Sequence, residues 1–188
     1  MIIVSNEPEK TKVASPITLD EAKAQLQIED FDNDDDYITG LIDVATELVE
    51  DDCNADMLET TNALEVKLNC GFQTLWRIMQ APFLSLTSVE VYDGTNWTTV
   101  EASTYEAEKA FHYFEVEFSS TPAGNIEKVR FTFKTGYTTA KLPKRLKQAV
   151  LVKSADMYDT ERQSYNLNNL AENKTYERLI AKHRRRNW

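Results

Sequence analysis

The sequence predicts an α+β fold: an N-terminal helical pair and C-terminal helices form a small bundle, with an antiparallel β unit inserted between them. Three observations predict it. Apolar residues recur at helical spacing from Thr18 to Cys53 and again from Leu142 onward. Between Asn62 and Thr135 the period drops to two. Turn signals such as Asp93-Gly94 and Thr121–Asn125 punctuate that middle stretch.

Residues 1–15 read as a flexible arm, polar beyond Val4 and opposed to regular structure at Glu7-Pro8-Glu9-Lys10. The main domain spans 16–160. Its first helix, 18–28, has Thr18 as N-cap and Glu21 three residues on, a capping box. Leu19, Ala22, Leu26 and Ile28 make its apolar stripe. An acidic elbow, Glu29–Asp36, follows, and Asp32, Asn33 or Asp34 is placed to cap the next helix. That helix, 35–53, repeats Ile38, Leu41, Ile42, Ala45, Leu48 and Val49 on one face. Asp36, Asp43, Glu47, Glu50 and Asp51 line the other. This acidic side is either a solvated face or a surface that meets a basic neighbour or repels a polyanion.

The β unit is expected at about 61–136, with six to eight strands. Leu64, Val66, Leu68 and Cys70 alternate with polar residues. Phe72–Met79 is a second run, ended by Ala81-Pro82. Leu84–Tyr92 and Asn96–Val100 flank the Asp93-Gly94 turn, and Tyr105–Glu108 is a short strand. Phe111–Phe118 places His112, Phe114, Val116 and Phe118 on one face, and Lys128–Thr135 buries Val129, Phe131 and Phe133. The third helix, 143–160, opens with Pro143 at its first position. Two apolar stripes, Leu146/Ala149/Val150/Met157 and Leu151/Ala155/Tyr158, wedge it between layers, with the Ile38–Val49 face against it. Residues 161–188 are a polar, Asn-rich loop and a basic C-terminal helix and tail. Tyr176, Leu179, Ile180 and His183 share one face of that helix; Lys174, Arg178, Lys182 and Arg186 share the other.

Net charge is −10 over 188 residues, and its distribution is polar. Thr18–Thr60 holds 15 acids and one base, Lys23, whereas Lys141–Trp188 holds 12 bases and five acids. Such a chain either folds its ends together or sets one copy's basic end against the next copy's acidic end. The two cysteines, Cys53 and Cys70, form no CxxC and no zinc spacing, and are expected as thiols in a reducing cytoplasm. No apolar run approaches the ~20 residues of a membrane helix, and no secretory leader is visible, so a soluble intracellular protein is expected.

Catalytic signals are weak. His112 reads as a packed or edge residue and His183 lies in the basic tail, which leaves Ser and Cys nucleophiles without a matched base. The five glycines form no phosphate loop, and neither GxSxG nor HExxH occurs. Asp30, Asp32 and Asp34 have the alternate spacing of a calcium loop. Asp35 at its sixth position and Leu41 at its twelfth rule that loop out, since Gly and Glu are needed there. No enzyme, cofactor or metal is expected. The basic ridge with Tyr176 and Trp188 fits either a solvated helix face or a local contact with DNA or an acidic protein. The net acidity argues against a free-standing nucleic-acid binder.

Pro16–Ile28, the acidic elbow and Asp35–Glu50 together resemble the N-terminal signature of tailed-phage head–tail connector (adaptor) proteins, which also occur in prophages and gene transfer agents. Ala81-Pro82-Phe83 with Leu86–Val89 is similar to that family's strand entry, and Phe131–Tyr137 with Leu142–Leu151 is similar to its Gly-Tyr…Pro helix junction. Cys53-Asn54-Ala55 departs from the family's aromatic-Thr-Gly. The resemblance covers about 16–160 and implies a non-enzymatic virion protein. Such a protein forms a ring, of about twelve subunits, under the portal, extends the DNA channel and seats a stopper or tail-completion protein. It would assemble in the host cytoplasm without a membrane. Residues expected at subunit or partner contacts are Asp36, Asp43, Glu47, Glu50, Lys174, Arg178 and Lys182, with Arg184, Arg185, Arg186 and Trp188 at the portal or DNA. Alternatives are another neck or tail-completion protein, an acidic DNA-mimic regulator, or an enzyme.

Overall fold

Alternating side chains commit the middle of the chain to strands, and helical periodicity commits both flanks to helices. The computed structural model describes residues 2–4, 9–12, 15–28, 32–69, 71–158 and 174–185. Their order is β1 (Ile2–Val4), β2 (Glu9–Lys12), α1 (Leu19–Leu26), α2 (Asp35–Cys53), β3 (Thr60–Lys67), β4 (Leu75–Ile78), β5 (Phe83–Tyr92), β6 (Trp97–Thr99), β7 (Tyr105–Lys109), β8 (Phe114–Phe118), β9 (Lys128–Thr135), α3 (Lys144–Tyr158) and α4 (Lys174–Ile180). The described residues divide into a helical unit, within 15–57 and 138–185, and a β unit, Leu58–Tyr137 together with β1 and β2. The α+β fold with an inserted β unit is therefore what forms.

The β unit has two sheets, ordered β1-β4-β8-β7 and β2-β3-β9-β5-β6. Period two turns one face of each sheet inward. Leu64, Val89, Val91, Val129, Phe131 and Phe133 of the larger sheet join Trp76, Ile78, Phe114, Val116 and Phe118 of the smaller in one buried cluster. Phe83 stacks on Phe114 with ring centroids 4.2 Å apart, and Trp76 leans on Phe131 at 5.3 Å. Each such side chain contributes about 1.5–3 kcal/mol. The outer face carries Arg130, which donates to Glu65 and Glu90 and lies 4.0 Å over the Trp97 ring. Surface pairs of this kind are worth about 0–1 kcal/mol each, so the apolar cluster holds the unit.

The chain enters this unit at Leu58 and leaves it at Tyr137, and these two residues form a parallel bridge. Beyond them β3 pairs with β9 from Thr60↔Thr135 to Lys67↔Lys128. The junction holds buried polar side chains. Asn62 donates its Nδ2 to Thr135 Oγ1 at 2.6 Å and to the Thr60 carbonyl at 3.2 Å, and Thr60 Oγ1 donates to the Leu58 carbonyl at 3.0 Å. Gly136 sits at φ +96°, and a Cβ there would lie 2.0 Å from the Leu58 carbonyl oxygen. Only glycine allows that approach.

In the helical unit, Thr18 makes the capping box: Glu21 N donates to Thr18 Oγ1 at 3.2 Å, and Thr18 N donates to Glu21 Oε2 at 3.1 Å. The Lys147 ammonium, 2.5 Å from Glu21, ties α1 to α3 and holds the Glu21 carboxyl below its ordinary range. Helix α3 contacts α1, α2 and α4. Its Leu146, Ala149, Val150 and Ser154 are buried, as are Ile38, Ile42, Ala45 and Val49 of α2 and Tyr176 and Ile180 of α4.

Five expectations are corrected. The arm expected to be flexible contributes two edge strands: β2 pairs antiparallel with β3, and β1 pairs parallel with β4. Main-chain pairing at a sheet edge needs no apolar pattern, so periodicity is blind to it. The β1–β4 pair also means that the unit is not wholly antiparallel. The first helix ends at Leu26 rather than residue 28, because Gln27 turns left-handed (φ 61°) and closes the helix. The strand expected from Phe111 starts at Phe114, because Ala110 N donates to the Tyr113 carbonyl in a tight turn and puts His112 in a loop. Helix α3 begins after Pro143, whose carbonyl accepts from Leu146 and Lys147. The expected Asn-rich loop, 161–173, lies outside the described residues.

Gly136→Ala combines a left-handed φ with a backbone clash and is expected to destabilise the chain by about 3 kcal/mol. Gly71→Ala, also at positive φ but facing open space, is expected to cost about 1 kcal/mol. Urea unfolding of the two variants checks the difference.

Candidate assembly surface

Helix α2 buries one stripe, Ile38, Ile42, Ala45, Thr46, Val49, Glu50 and Cys53. Asp36, Asp43 and Glu47 lie on the exposed side, within a narrow arc. Beside that acidic row a second apolar stripe faces out: Tyr37 is 48% exposed, Val44 47% and Leu48 38%. Leu48 was expected to be buried with Val49. The buried arc instead passes through Thr46, Glu50 and Cys53, which leaves Leu48 outside. The spacing of Tyr37, Val44 and Leu48 (i, i+7, i+11) was visible in the sequence, but a sequence does not show which of two apolar stripes meets the core.

Glu50 does not belong to the exposed acidic face. It is buried, and its Oε1 accepts from Met57 N at 2.9 Å, closing the bend after α2. That bend begins at Asn54, which takes the left-handed C-cap conformation (φ 50°). Asp52 accepts from the Tyr176 hydroxyl at 2.5 Å, and burial followed by this carboxylate raises the phenol's pKa. Cys53 is buried and its thiol is pushed up to about 11, mainly by burial.

The elbow carries a cation of its own. Lys23, buried and the sole base of the acidic stretch, donates to Asp32 at 2.6 Å and Asp35 at 2.9 Å, and these hydrogen bonds raise its pKa. Asp34 makes no side-chain cap; its carboxylate accepts from the Tyr158 hydroxyl at 2.8 Å.

At the basic end, Lys174, Arg178, Lys182 and Arg184 are exposed. Arg184 pairs with Glu177 at 3.2 Å, and Arg185 N donates to the Cys53 carbonyl at 2.9 Å. Arg186 and Trp188 lie outside the described residues. Among the described residues no ion pair joins Asp36, Asp43 or Glu47 to Lys174, Arg178 or Lys182. Both charged rows are thus presented outward on one unit. Half-buried His183 is held below its ordinary pKa, first by burial and then by Arg145, Lys182 and Arg185.

Little here resembles a catalytic constellation. His112 Nδ1 is sealed from solvent without a hydrogen-bond partner, and among the described residues no group of three His, Cys, Asp or Glu converges as a metal site. No described helix is long and apolar enough to cross a membrane. The exposed surface of the helical unit carries an acidic row, an apolar stripe and a basic row.

Residues 16–72 match the family model described as phage gp6-like head-tail connector protein. The resemblance carried by Pro16–Ile28 and Asp35–Glu50 is to that family. Solved structures share the fold over nearly the whole chain. One is a chain from the neck of an empty gene transfer agent particle computed with C6 symmetry (TM-score 0.74, 18% identity, covering 96% of this chain and 97% of that one). A second is from the virion of a native gene transfer agent particle (TM-score 0.72, 17% identity, 95% and 96%). A third is from the neck of a native particle computed with C12 symmetry (TM-score 0.66, 16% identity, 96% of each). At these identities the likeness is one of fold. No curated protein matches the chain.

Glu50→Ala strands a buried Met57 N–H and is expected to destabilise by about 1–3 kcal/mol. Asp43→Asn and Glu47→Gln, on the exposed face, are expected to stay within about 0.5 kcal/mol of wild type. Chemical denaturation separates the two groups. His183, depressed in the folded chain, contributes stability that is full above its unfolded pKa and is lost as pH falls through the folded one. Stability is therefore expected to fall as pH drops below the ordinary histidine value of about 6.5, and His183→Gln is expected to flatten that part of the profile in thermal unfolding.

Proposed function

We propose that this chain is a non-enzymatic structural protein of a virion neck. In this reading it is a head–tail connector that forms a ring under the portal, extends the DNA channel and seats a stopper or tail-completion protein. One coincidence carries the reading: residues 16–72 match the connector family, while the whole chain shares its fold with chains of gene transfer agent necks. The C12 symmetry of one such neck supports a ring of twelve. The chain would assemble in the host cytoplasm and end up in the particle.

The charge distribution supports the same reading. A ring is a closed heterologous assembly in which one patch meets a different patch on the next subunit. An acidic row of Asp36, Asp43 and Glu47 and a basic row of Lys174, Arg178 and Lys182 are two different patches on one unit, and opposite charge steers them together. Glu50, being buried, has no part in that contact. The C-terminal residues Arg184, Arg185, Arg186 and Trp188 are assigned to the portal or to DNA, since a cationic cluster with an aromatic suits either acidic surface. Acidic side chains facing the channel would keep DNA from adhering during exit.

A second reading, another neck or tail-completion protein, has support in the same structures, which share only a place in the neck or virion. Electron microscopy of the chain mixed with its portal decides between them. A ring seated on the portal supports the connector; a chain that binds only further along the neck overturns it. Deleting Arg184–Trp188 is expected to weaken portal docking at least about tenfold, the scale of one lost hot-spot contact. Unchanged docking removes the tail from the interface.

A further inference from the structure

In the outward apolar stripe of α2, Tyr37 leans on Tyr158 of α3 with ring centroids 6.2 Å apart, while Val44 and Leu48 stay exposed. Tyr37, Val44 and Leu48 lie along one line of the helix. Asp36, Asp43 and Glu47 run beside them along one edge, over about 16 Å from first to last. The C-terminal helical segment offers the matching element. Opposite its buried Tyr176 and Ile180, Lys174 and Arg178 are exposed on the helix, about 6 Å apart along its axis, and exposed Lys182 follows in the turn after it. The four-residue spacing of Asp43 and Glu47 equals that of Lys174 and Arg178, so the two rows match in step.

We infer that α2's outward stripe is the seat for the basic face of α4 from a second copy of this chain. The aliphatic stems of Lys174 and Arg178 cover Val44 and Leu48, and their charged heads reach Asp43 and Glu47. Long basic side chains are suited to this, because they bury methylenes while the head stays with water or a carboxylate. A lone ion pair at an exposed surface is worth about 0–1 kcal/mol; removing the stripe from water adds the apolar share that makes the contact hold. Seat and occupant lie on different helices of the same unit, so the contact is head-to-tail and propagates from copy to copy. The inference rests on the ring reading above and adds which surfaces meet.

The test is sedimentation equilibrium of the full-length chain over a range of concentrations near 0.1 M salt, where charge contacts survive within about 10 Å. Wild type is expected to gain mass with concentration. Leu48→Asp, at an exposed position, is expected to weaken association at least about tenfold with unchanged circular dichroism and melting. Asp43→Lys with Glu47→Lys, and separately Lys174→Glu with Arg178→Glu, are expected to do the same. The chain carrying all four reversals is expected to recover association. A wild type that stays monomeric at its solubility limit overturns the seat, as does association that ignores these substitutions or a fourfold variant that fails to recover. Leu48→Asp that lowers the melting temperature instead shows the stripe to be covered within the chain, and also overturns it. Portal binding is scored separately: a wild-type chain that self-associates through this seat but does not bind the portal overturns the neck reading and leaves the seat standing.

Discussion

The close approach of Leu58 and Gly136 is the constraint on which the architecture depends. An inserted unit is tolerated only if its two ends lie together, so that the host helices are not forced apart. Here the ends are held by the Leu58–Tyr137 bridge and by the first pair of a long antiparallel ladder. There buried Asn62 donates to the Thr135 hydroxyl and the Thr60 carbonyl, and Thr60 donates to the Leu58 carbonyl, which ties the two ends together through polar side chains. Glycine at 136 lets two backbones come nearer than any side chain permits. Phe131 and Phe133 follow a few residues upstream on the same strand, so the register set at the junction also aligns the centre of the β core.

Charge organises the helical unit differently. The acidic stretch is strongly self-repulsive, and its one base is placed where it matters most. Lys23 comes from α1, and its ammonium lies between Asp32 and Asp35, across the elbow. Of the aspartates spaced like a calcium loop, Asp32 meets that lysine and Asp34 accepts from the Tyr158 hydroxyl. Other acids are used singly: Glu21 for a cap and for Lys147, Glu50 for a backbone amide, Asp34 and Asp52 for tyrosine hydroxyls. Among the acids that stay exposed, Asp36, Asp43 and Glu47 form a short row on α2.

This sorting of acids sharpens the functional picture. A chain whose opposite charges neutralised each other internally would have little left to offer a neighbour. Here the acidic and basic rows both face outward, which is what the proposed ring would require of them. His183 is held below its ordinary pKa by burial and nearby cations, and the one described cysteine is buried with a raised pKa, so its thiol stays protonated.

By itself the sequence determined the α+β class, the position of α2, the capping box at Thr18 and the alternating inward residues of β8 and β9, because local period and local caps depend on neighbours in the chain. It also carried the connector resemblance, in the order and spacing of Pro16–Ile28 and Asp35–Glu50. Only the tertiary structure decided which stripe of α2 is buried, because that depends on where α3 lies. Only it showed that Glu50 leaves the acidic face to hold Met57, and that Gly136 is required by the carbonyl of a residue 78 positions earlier in the chain. Strands β1 and β2 were equally hidden, since an edge strand is specified by the open edge it joins and not by its own side chains.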